Sequence, residues 1–179
     1  MIKHKHRRIG GFSMIELLVA VLVMGIGVLG ITGLQVASMQ NNREALLRGE
    51  AAQMAYTMLD RIRANAQGGA AVAGLAYGGL NIGDAPPNTN DCQANNCSQV
   101  QMMAFDQAVW KCSLGSYDAD AGCIALRAGN VLPPPNQQPG LPQGDGSISV
   151  NGATGVITVA VQWMGSNNQL QVFSLESQG

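Results

Sequence analysis

The sequence predicts an α+β fold in which a long N-terminal helix, half transmembrane and half amphipathic, packs on a small antiparallel sheet. Three observations support this prediction. An uncharged apolar run near the N-terminus is long enough to cross a membrane, a stretch with helical periodicity follows it, and short alternating segments lie near the C-terminus. Because only about 110 residues remain after the helix, we expect them to form one small globular head.

The apolar run extends from Leu17 to Leu34, and Thr32 is its only polar side chain. These eighteen residues would form roughly 27 Å of helix, close to the ~30 Å thickness of the hydrocarbon core of a bilayer. Arg43 and Arg48 lie well beyond the run, whereas four basic residues precede it: Lys3, Lys5, Arg7 and Arg8. This asymmetry predicts a cytoplasmic N-terminus and an exported head.

A single carboxylate, Glu16, lies where the apolar run begins. An unpaired carboxylate within hydrocarbon costs on the order of 2.5 to 3.5 kcal/mol or more. No basic residue follows within the next turns of helix. From the residues alone, two interpretations stay open. Glu16 either lies at the headgroup level in contact with water, or it pairs with a positive charge from elsewhere.

The residues around Glu16 resemble the class III leader of type IV pilins and of type II secretion pseudopilins. The resemblance consists of a short basic leader, a glycine, a phenylalanine and a glutamate at the fifth mature position, in the string Gly11-Phe12-Ser13-Met14-Ile15-Glu16-Leu17-Leu18-Val19-Ala20. In that family a membrane aspartyl peptidase cleaves after the glycine and methylates the new amine. The resemblance therefore implies cleavage between Gly11 and Phe12 and N-methylation of Phe12.

The resemblance also implies that Glu16 sets the register of assembly. The amine exposed on Phe12 of one subunit would pair with Glu16 of an incoming subunit, and either charge is costly when it is left alone in a low-dielectric environment. Other export signals fit less well. An ordinary secretory signal needs an Ala-x-Ala site after an apolar stretch of about 7 to 15 residues, and Arg7-Arg8 alone is a weak twin-arginine signal.

The helix should continue beyond the membrane. Small and apolar residues recur at helical spacing between residues 43 and 66: Leu47, Ala51, Met54, Ala55, Met58, Ile62 and Ala66. We expect the helix to end near Gln67, where a glycine-rich stretch begins. The predicted domains are a removable leader at 1–11, an N-terminal helix at 12–67 with its transmembrane and assembly segment at 12–40, and a head at 68–179.

All four cysteines, Cys92, Cys97, Cys112 and Cys123, lie in the part predicted to be exported. An even number of cysteines in that compartment indicates disulfides, although four cysteines allow three pairings. Proximity in sequence favours Cys92 with Cys97 and Cys112 with Cys123. A zinc site is the alternative, but the spacings are not those of C-x2-C pairs and no histidine follows His6.

Ser98 and Gln101 have the spacing of a capping box, which predicts a helix running through Cys112. The same region resembles the head signature of PilV-type minor pilins, in Cys92-x4-Cys97-Ser98 followed by Met103-Ala104, Asp106 and Trp110. This resemblance implies a minor pilin that primes assembly of a type IV pilus within a tip complex, and thereby supports twitching motility and adhesion.

The resemblance implies a set of partners and two locations. The partners are the major pilin and other minor pilins, the prepilin peptidase, the assembly platform of the inner membrane and a tip adhesin. The protein would first reside in the inner membrane as a single-pass protein with its N-terminus in the cytoplasm. It would then enter the extracellular pilus.

The stretch 131–142 is rich in proline and should be a surface loop, because proline has no amide donor for a sheet. Three strand-like segments follow, separated by turn residues: Ser147–Val150, Gly155–Trp163 and Gln169–Glu176. In the second, apolar residues alternate with smaller or polar ones, which predicts one buried face formed by Ile157, Val159, Val161 and Trp163. An antiparallel meander packed on the amphipathic half of the helix would bury both apolar surfaces.

The charge balance argues against nucleic-acid binding. Removal of residues 1–11 would leave six basic residues against eleven acidic ones. From residue 68 onward, only Lys111 and Arg127 oppose seven acidic residues. Such a head should repel phosphate backbones.

Catalysis and metal binding have little support in the sequence. Both histidines, His4 and His6, lie in the leader, so the mature chain has no imidazole for general base catalysis. The acidic stretch 118–122 lacks the ligands of an EF-hand loop. We interpret it as an acidic turn, with calcium binding as the open alternative, and Asp106 as a surface or capping carboxylate.

We therefore expect a structural protein that is not an enzyme and uses no cofactor or metal. A pseudopilin of a type II secretion system is the nearest alternative. A periplasmic enzyme held by a signal anchor is the more distant one.

Overall fold

The computed structural model describes residues 11, 13–65 and 77–178. Its helices are α1 (Met14–Asn65), α2 (Gln99–Leu114) and α3 (Ala121–Ala128). Its strands are β1 (Asp145–Val150), β2 (Val156–Met164) and β3 (Leu170–Gln178), which form one antiparallel sheet in the order β1-β2-β3. The predicted α+β fold, a long N-terminal helix packed on a small antiparallel sheet, is confirmed.

The chain divides into two compact units at a point within α1. The first unit ends at Asn42, and the second begins at Arg43 and contains the head. The last turns of α1 therefore belong with the head. The predicted end of the helix near Gln67 and the predicted core position Ala66 lie outside the described residues.

The C-terminal part of α1 has one buried face, which consists of Ala51, Met54, Ala55, Met58, Leu59 and Ile62. Most of these positions are those that the helical spacing predicts, and Leu47 is partly buried at the edge of the same core. The face packs against the buried side of β2, formed by Ile157, Val159, Val161 and Trp163. Helix and sheet each have one apolar face, so packing them together removes both from water.

The three predicted strands are confirmed, with ends that shift by two residues or fewer. Val159 at the centre of the sheet lies opposite Ile148 on β1 and Leu175 on β3. Trp110 of α2 joins this core, and its indole Nε1 donates to the carbonyl of Met54, 3.1 Å away. A side chain at Gly146 would collide with the Trp110 ring, so this strand position requires glycine.

A second apolar cluster lies between α2, α3 and the proline-rich loop: Phe105, Ala108, Val109, Cys112, Cys123, Leu126 and Leu132. The predicted capping box at the start of α2 is confirmed, with Ser98 as N-cap and Gln101 as its partner. Helix α3 was missed by the sequence prediction. Its local signal is Asp120, which lies in the predicted acidic turn and caps the helix by accepting from the amides of Gly122 and Cys123.

Candidate assembly site at the N-terminal junction

The junction between the basic stub and the apolar run is described at Gly11 and from Ser13 onward. Helix α1 starts at Met14, and the Ser13 carbonyl accepts from the amides of Glu16 and Leu17 at 3.0 and 3.3 Å. Gly11 is exposed, and a Cβ built on it would have no neighbour within 4 Å among the described residues. The described part of the fold therefore imposes no steric need for glycine at position 11. Phe12 lies outside the described residues.

Glu16 lies in the first turn of α1 and is exposed. A carboxylate at this end of a helix interacts favourably with the exposed backbone amides and the helix dipole. Among residues 13–65 and 77–178, no basic side chain forms an ion pair with Glu16. Glu16 is therefore an exposed carboxylate at the start of α1, and the register role that the sequence predicts for it stays a prediction.

The apolar side chains that follow Glu16 are exposed in the described structure. Large hydrophobic residues from Met14 to Met39 are all more than half exposed, and the most apolar window of α1 has a mean hydropathy of 2.6. By length and composition, α1 is the one helix in the described part of the chain that could cross a membrane. An apolar surface of this extent needs lipid or other apolar helices to cover it.

In the head, the structure corrects the interpretation of Asp106. This carboxylate is only 5% exposed, and it accepts from Arg61 Nη1 at 2.8 Å and from the Tyr77 hydroxyl at 2.7 Å. The prediction of a surface or capping carboxylate is wrong because the donors come from positions 45 and 29 residues away along the chain. Asp106 instead links α2 to α1 through its ion pair with Arg61.

A second ionic contact is fully internal. Lys111 on α2 is completely buried, and its Nζ donates to Asp145 Oδ1 at 2.5 Å and to the Asn81 carbonyl at 2.8 Å. Asp145 accepts further from the amides of Gly83 and Gly146, both at 2.6 Å, and from the Tyr117 hydroxyl. The charge pair is buried but well provided with hydrogen bonds, the condition under which such a pair is tolerated.

The two tyrosines that donate to these carboxylates have phenol pKa values above the ordinary value. Burial, followed by the charge of Asp145, raises the pKa of Tyr117 to about 12. Burial, followed by the hydrogen bond to Asp106, also raises the pKa of Tyr77.

These shifts predict a loss of stability in alkali. Because the folded state holds the phenol protons more tightly than the unfolded state, stability should be intact below about pH 10 and should fall as the pH rises toward about 12. Urea unfolding of the full chain in detergent, followed by tryptophan fluorescence, measures this. Y117F should show a shallower decline, and an equally steep decline in that variant would contradict the assignment to Tyr117.

The disulfide pairing favoured by sequence proximity is the pairing present in the structure. Cys92 is bonded to Cys97 and Cys112 to Cys123. The second bond is fully buried and joins α2 to α3 within the second apolar cluster. The first bond lies before α2 and is partly exposed.

We expect the two bonds to differ in their effect on stability. Replacing Cys112 and Cys123 together with serine should lower the free energy of unfolding by about 2 to 5 kcal/mol, because a closed loop is lost and two hydroxyls enter an apolar cluster. The matched Cys92/Cys97 double serine variant opens a shorter loop, with a sequence separation of 5 against 11 residues, at a partly exposed bond, and should lose less. Urea unfolding of both full chains under identical conditions measures the difference, and the reverse order would contradict this account.

The acidic stretch around residue 120 has internal partners. Asp118 pairs with Arg127, whose guanidinium also donates to the carbonyls of Cys112 and Pro133, and Asp120 caps α3. Within the described residues, no three histidine, cysteine or acidic side chains are grouped so as to hold a metal ion.

Comparison with known proteins finds one relationship. Residues 6–32 match the family model of the prokaryotic N-terminal methylation motif. This segment contains Gly11, Phe12 and Glu16, and the match supports a type IV pilin-like prepilin, a structural class whose members associate with other pilins and are processed by a prepilin peptidase. No curated protein and no solved structure significantly matches the chain.

Proposed function

We propose that this protein is a PilV-like minor pilin that enters a type IV pilus and supports the priming of its assembly as part of a tip complex. The observation that carries the proposal is the junction. A methylation motif, a glycine followed by phenylalanine, and an exposed carboxylate in the first turn of a bare apolar helix occur together. Twitching motility and adhesion would then be properties of the fibre that contains the subunit.

In this proposal, the prepilin peptidase cleaves between Gly11 and Phe12 and methylates the new amine of Phe12. The mature protein would wait in the inner membrane, anchored by α1 with its N-terminus toward the cytoplasm. The assembly platform would then transfer it into the fibre. There, the exposed apolar side chains of α1 would exchange lipid for the helices of neighbouring pilins, at little hydrophobic cost because both environments are apolar.

Glu16 would define where the incoming subunit stops. An apolar helix can slide along another with little change in energy, whereas a carboxylate paired with an amine has one favourable position. Breaking a buried ion pair by removing one partner typically costs about 3 to 5 kcal/mol. That penalty is large enough to select a single register between adjacent subunits.

The proposed partners follow from this scheme. They are the major pilin, other minor pilins, the prepilin peptidase, the assembly platform and a tip adhesin. A pseudopilin of a type II secretion system is the alternative function, because the methylation motif is compatible with both classes. Deleting the gene distinguishes them: loss of surface fibres supports the pilus, and loss of a secreted protein with normal fibres supports the secretion system.

The register role of Glu16 is tested by E16V. Cleavage should proceed normally, but the amount of variant recovered in sheared fibres should fall more than about tenfold, since 1.4 kcal/mol corresponds to tenfold and the neighbouring amine is left unpaired. Immunoblots of sheared fibres and of membranes measure both quantities. E16D retains the charge and should recover part of the incorporation. Equal recovery of E16V and the unchanged protein in fibres would remove the pairing role.

A further inference from the structure

The two edges of the sheet differ. On the outer side of β1, Ile148 donates its amide to the Leu80 carbonyl at 2.8 Å, and its carbonyl accepts from the Gly79 amide at 3.1 Å. At Ile148, near its centre, that edge is therefore paired with a segment of the same chain. On β3, the described residues provide pairing with β2 alone, and no described backbone group bonds to its outer side.

The bonds at Ile148 fix which groups of β3 point outward. In an antiparallel ladder, hydrogen-bonded and non-hydrogen-bonded pairs alternate. Because Ile148 turns its amide and carbonyl away from β2, its partner Val159 turns its own toward Leu175 on β3. Leu175 therefore bonds to β2, and the residues that alternate with it along the strand turn their amides and carbonyls away from the sheet. At the centre of β3 these outward-pointing residues are Val172, Ser174 and Glu176.

Few of the features that normally protect a free edge occur on β3. The strand is nine residues long, contains neither proline nor lysine, and carries Glu176 as its only charge. Leu170 and Val172 are 57% and 56% exposed on one face, and Phe173 and Leu175 are only partly buried on the other, where they border the core. An added strand would cover apolar side chains on both faces and satisfy the outward backbone groups.

Charge favours a basic partner over a second copy of this chain. The compact unit that contains the head carries six basic and ten acidic residues between positions 43 and 178, and two of its cations, Lys111 and Arg127, are engaged in ion pairs inside it. Glu176 is exposed and has no ion-pair partner in the described part of the chain. Arg63 donates to Ser177, whose side chain lies on the opposite face of the strand. Two such heads would repel each other.

We propose that the outer edge of β3 is a docking site for an extended segment of another exported protein, which adds a fourth strand to the sheet. The segment has apolar side chains at alternate positions and a lysine or arginine that reaches Glu176. Strand addition supplies main-chain hydrogen bonds, and the alternating side chains supply specificity. The proposal rests on the proposed function, because that function exports the head and surrounds it with other subunits.

The test uses the full chain in its own cells, with a photo-crosslinking phenylalanine analogue in place of Val172 on the edge. The control carries the same analogue at Thr158, which lies on the same face of the sheet but on the middle strand. We expect an adduct at position 172, identified by mass spectrometry as an extended segment of another exported protein with a basic residue near the crosslink. The adduct should be at least fivefold weaker at position 158.

Two substitutions separate backbone pairing from side-chain contact. S174P removes an outward amide without removing a bond to β2, and should reduce the adduct at position 172 at least fivefold, whereas S174A retains the amide and should leave the adduct unchanged. E176R reverses the charge and should reduce the adduct without relying on proline. Thermal unfolding of each variant establishes that the head is folded.

Four results would overturn the docking proposal: no adduct at position 172, an equal adduct at position 158, an adduct with another copy of this chain, or equal effects of S174P and S174A. Sheared fibres from the same cells are probed for the protein. If it is present in fibres while the crosslink fails, the docking proposal is wrong and the proposed function stands. If it is absent from fibres in otherwise unchanged cells, the proposed function itself fails.

Discussion

G11V should accumulate as unprocessed precursor in the inner membrane and should be absent from surface fibres. Among the described residues, nothing lies within 4 Å of a Cβ at position 11, so the substitution should not disturb the described fold. The expected effect arises in the peptidase, where glycine lets the backbone adopt conformations that a Cβ opposes. We expect near-complete loss of cleavage, which immunoblots and intact-mass analysis of the membrane fraction measure directly.

The neighbouring glycine provides the control for this experiment. G10V adds the same side chain one residue earlier and retains glycine at the proposed scissile bond, so its precursor should mature. If G11V matures as fast as G10V and the unchanged protein, the proposed cleavage after Gly11 is wrong. If both variants remain unprocessed, the peptidase recognises both glycines, and the effect cannot be assigned to Gly11 alone.

K111M should destabilise the head by about 3 to 5 kcal/mol, because it leaves the buried Asp145 carboxylate without its cation. A loss of this size is a large fraction of the 5 to 15 kcal/mol that folded domains typically possess. Urea unfolding of the full chain in detergent, followed by fluorescence of Trp110 and Trp163 in the head core, measures the change.

Two further variants show whether the loss of stability in K111M comes from the unpaired buried charge. R63M removes an exposed cation that lies 3.6 Å from Asp60 and should cost less than about 1 kcal/mol. K111M/D145N removes both charges of the buried pair while keeping an acceptor for the surrounding amides, and should recover part of the loss. Equal destabilisation by K111M and R63M would show that burial of the Lys111 charge has no special energetic role.

The parts of the fold that follow local rules could be predicted from the sequence. The amphipathic half of α1, the alternation along β2 and the capping box at Ser98 each depend on residues within a few positions of one another. The favoured disulfide pairing also joins near neighbours, with separations of 5 and 11 residues. Helix α3 was missed because eight residues are too few for a periodic pattern to stand out.

The internal charge pairs could not be predicted in the same way. Lys111 and Asp145 are 34 residues apart, and Arg61 and Asp106 are 45 apart. No local pattern distinguishes these side chains from surface charges, and the tertiary fold alone brings them together. At the junction, the residues resemble a known motif, and in the proposed function the partner charge of Glu16 comes from another subunit, which the sequence and structure of one chain do not contain.

We propose above all that proteolysis ahead of Phe12 converts this chain into a subunit that can assemble. The most direct measurement is the intact mass and N-terminal sequence of the native protein recovered from sheared fibres. The account predicts a chain that starts at Phe12 and carries one methyl group on its amine. A chain that retains residues 1–11, or that begins at any other residue, would contradict it.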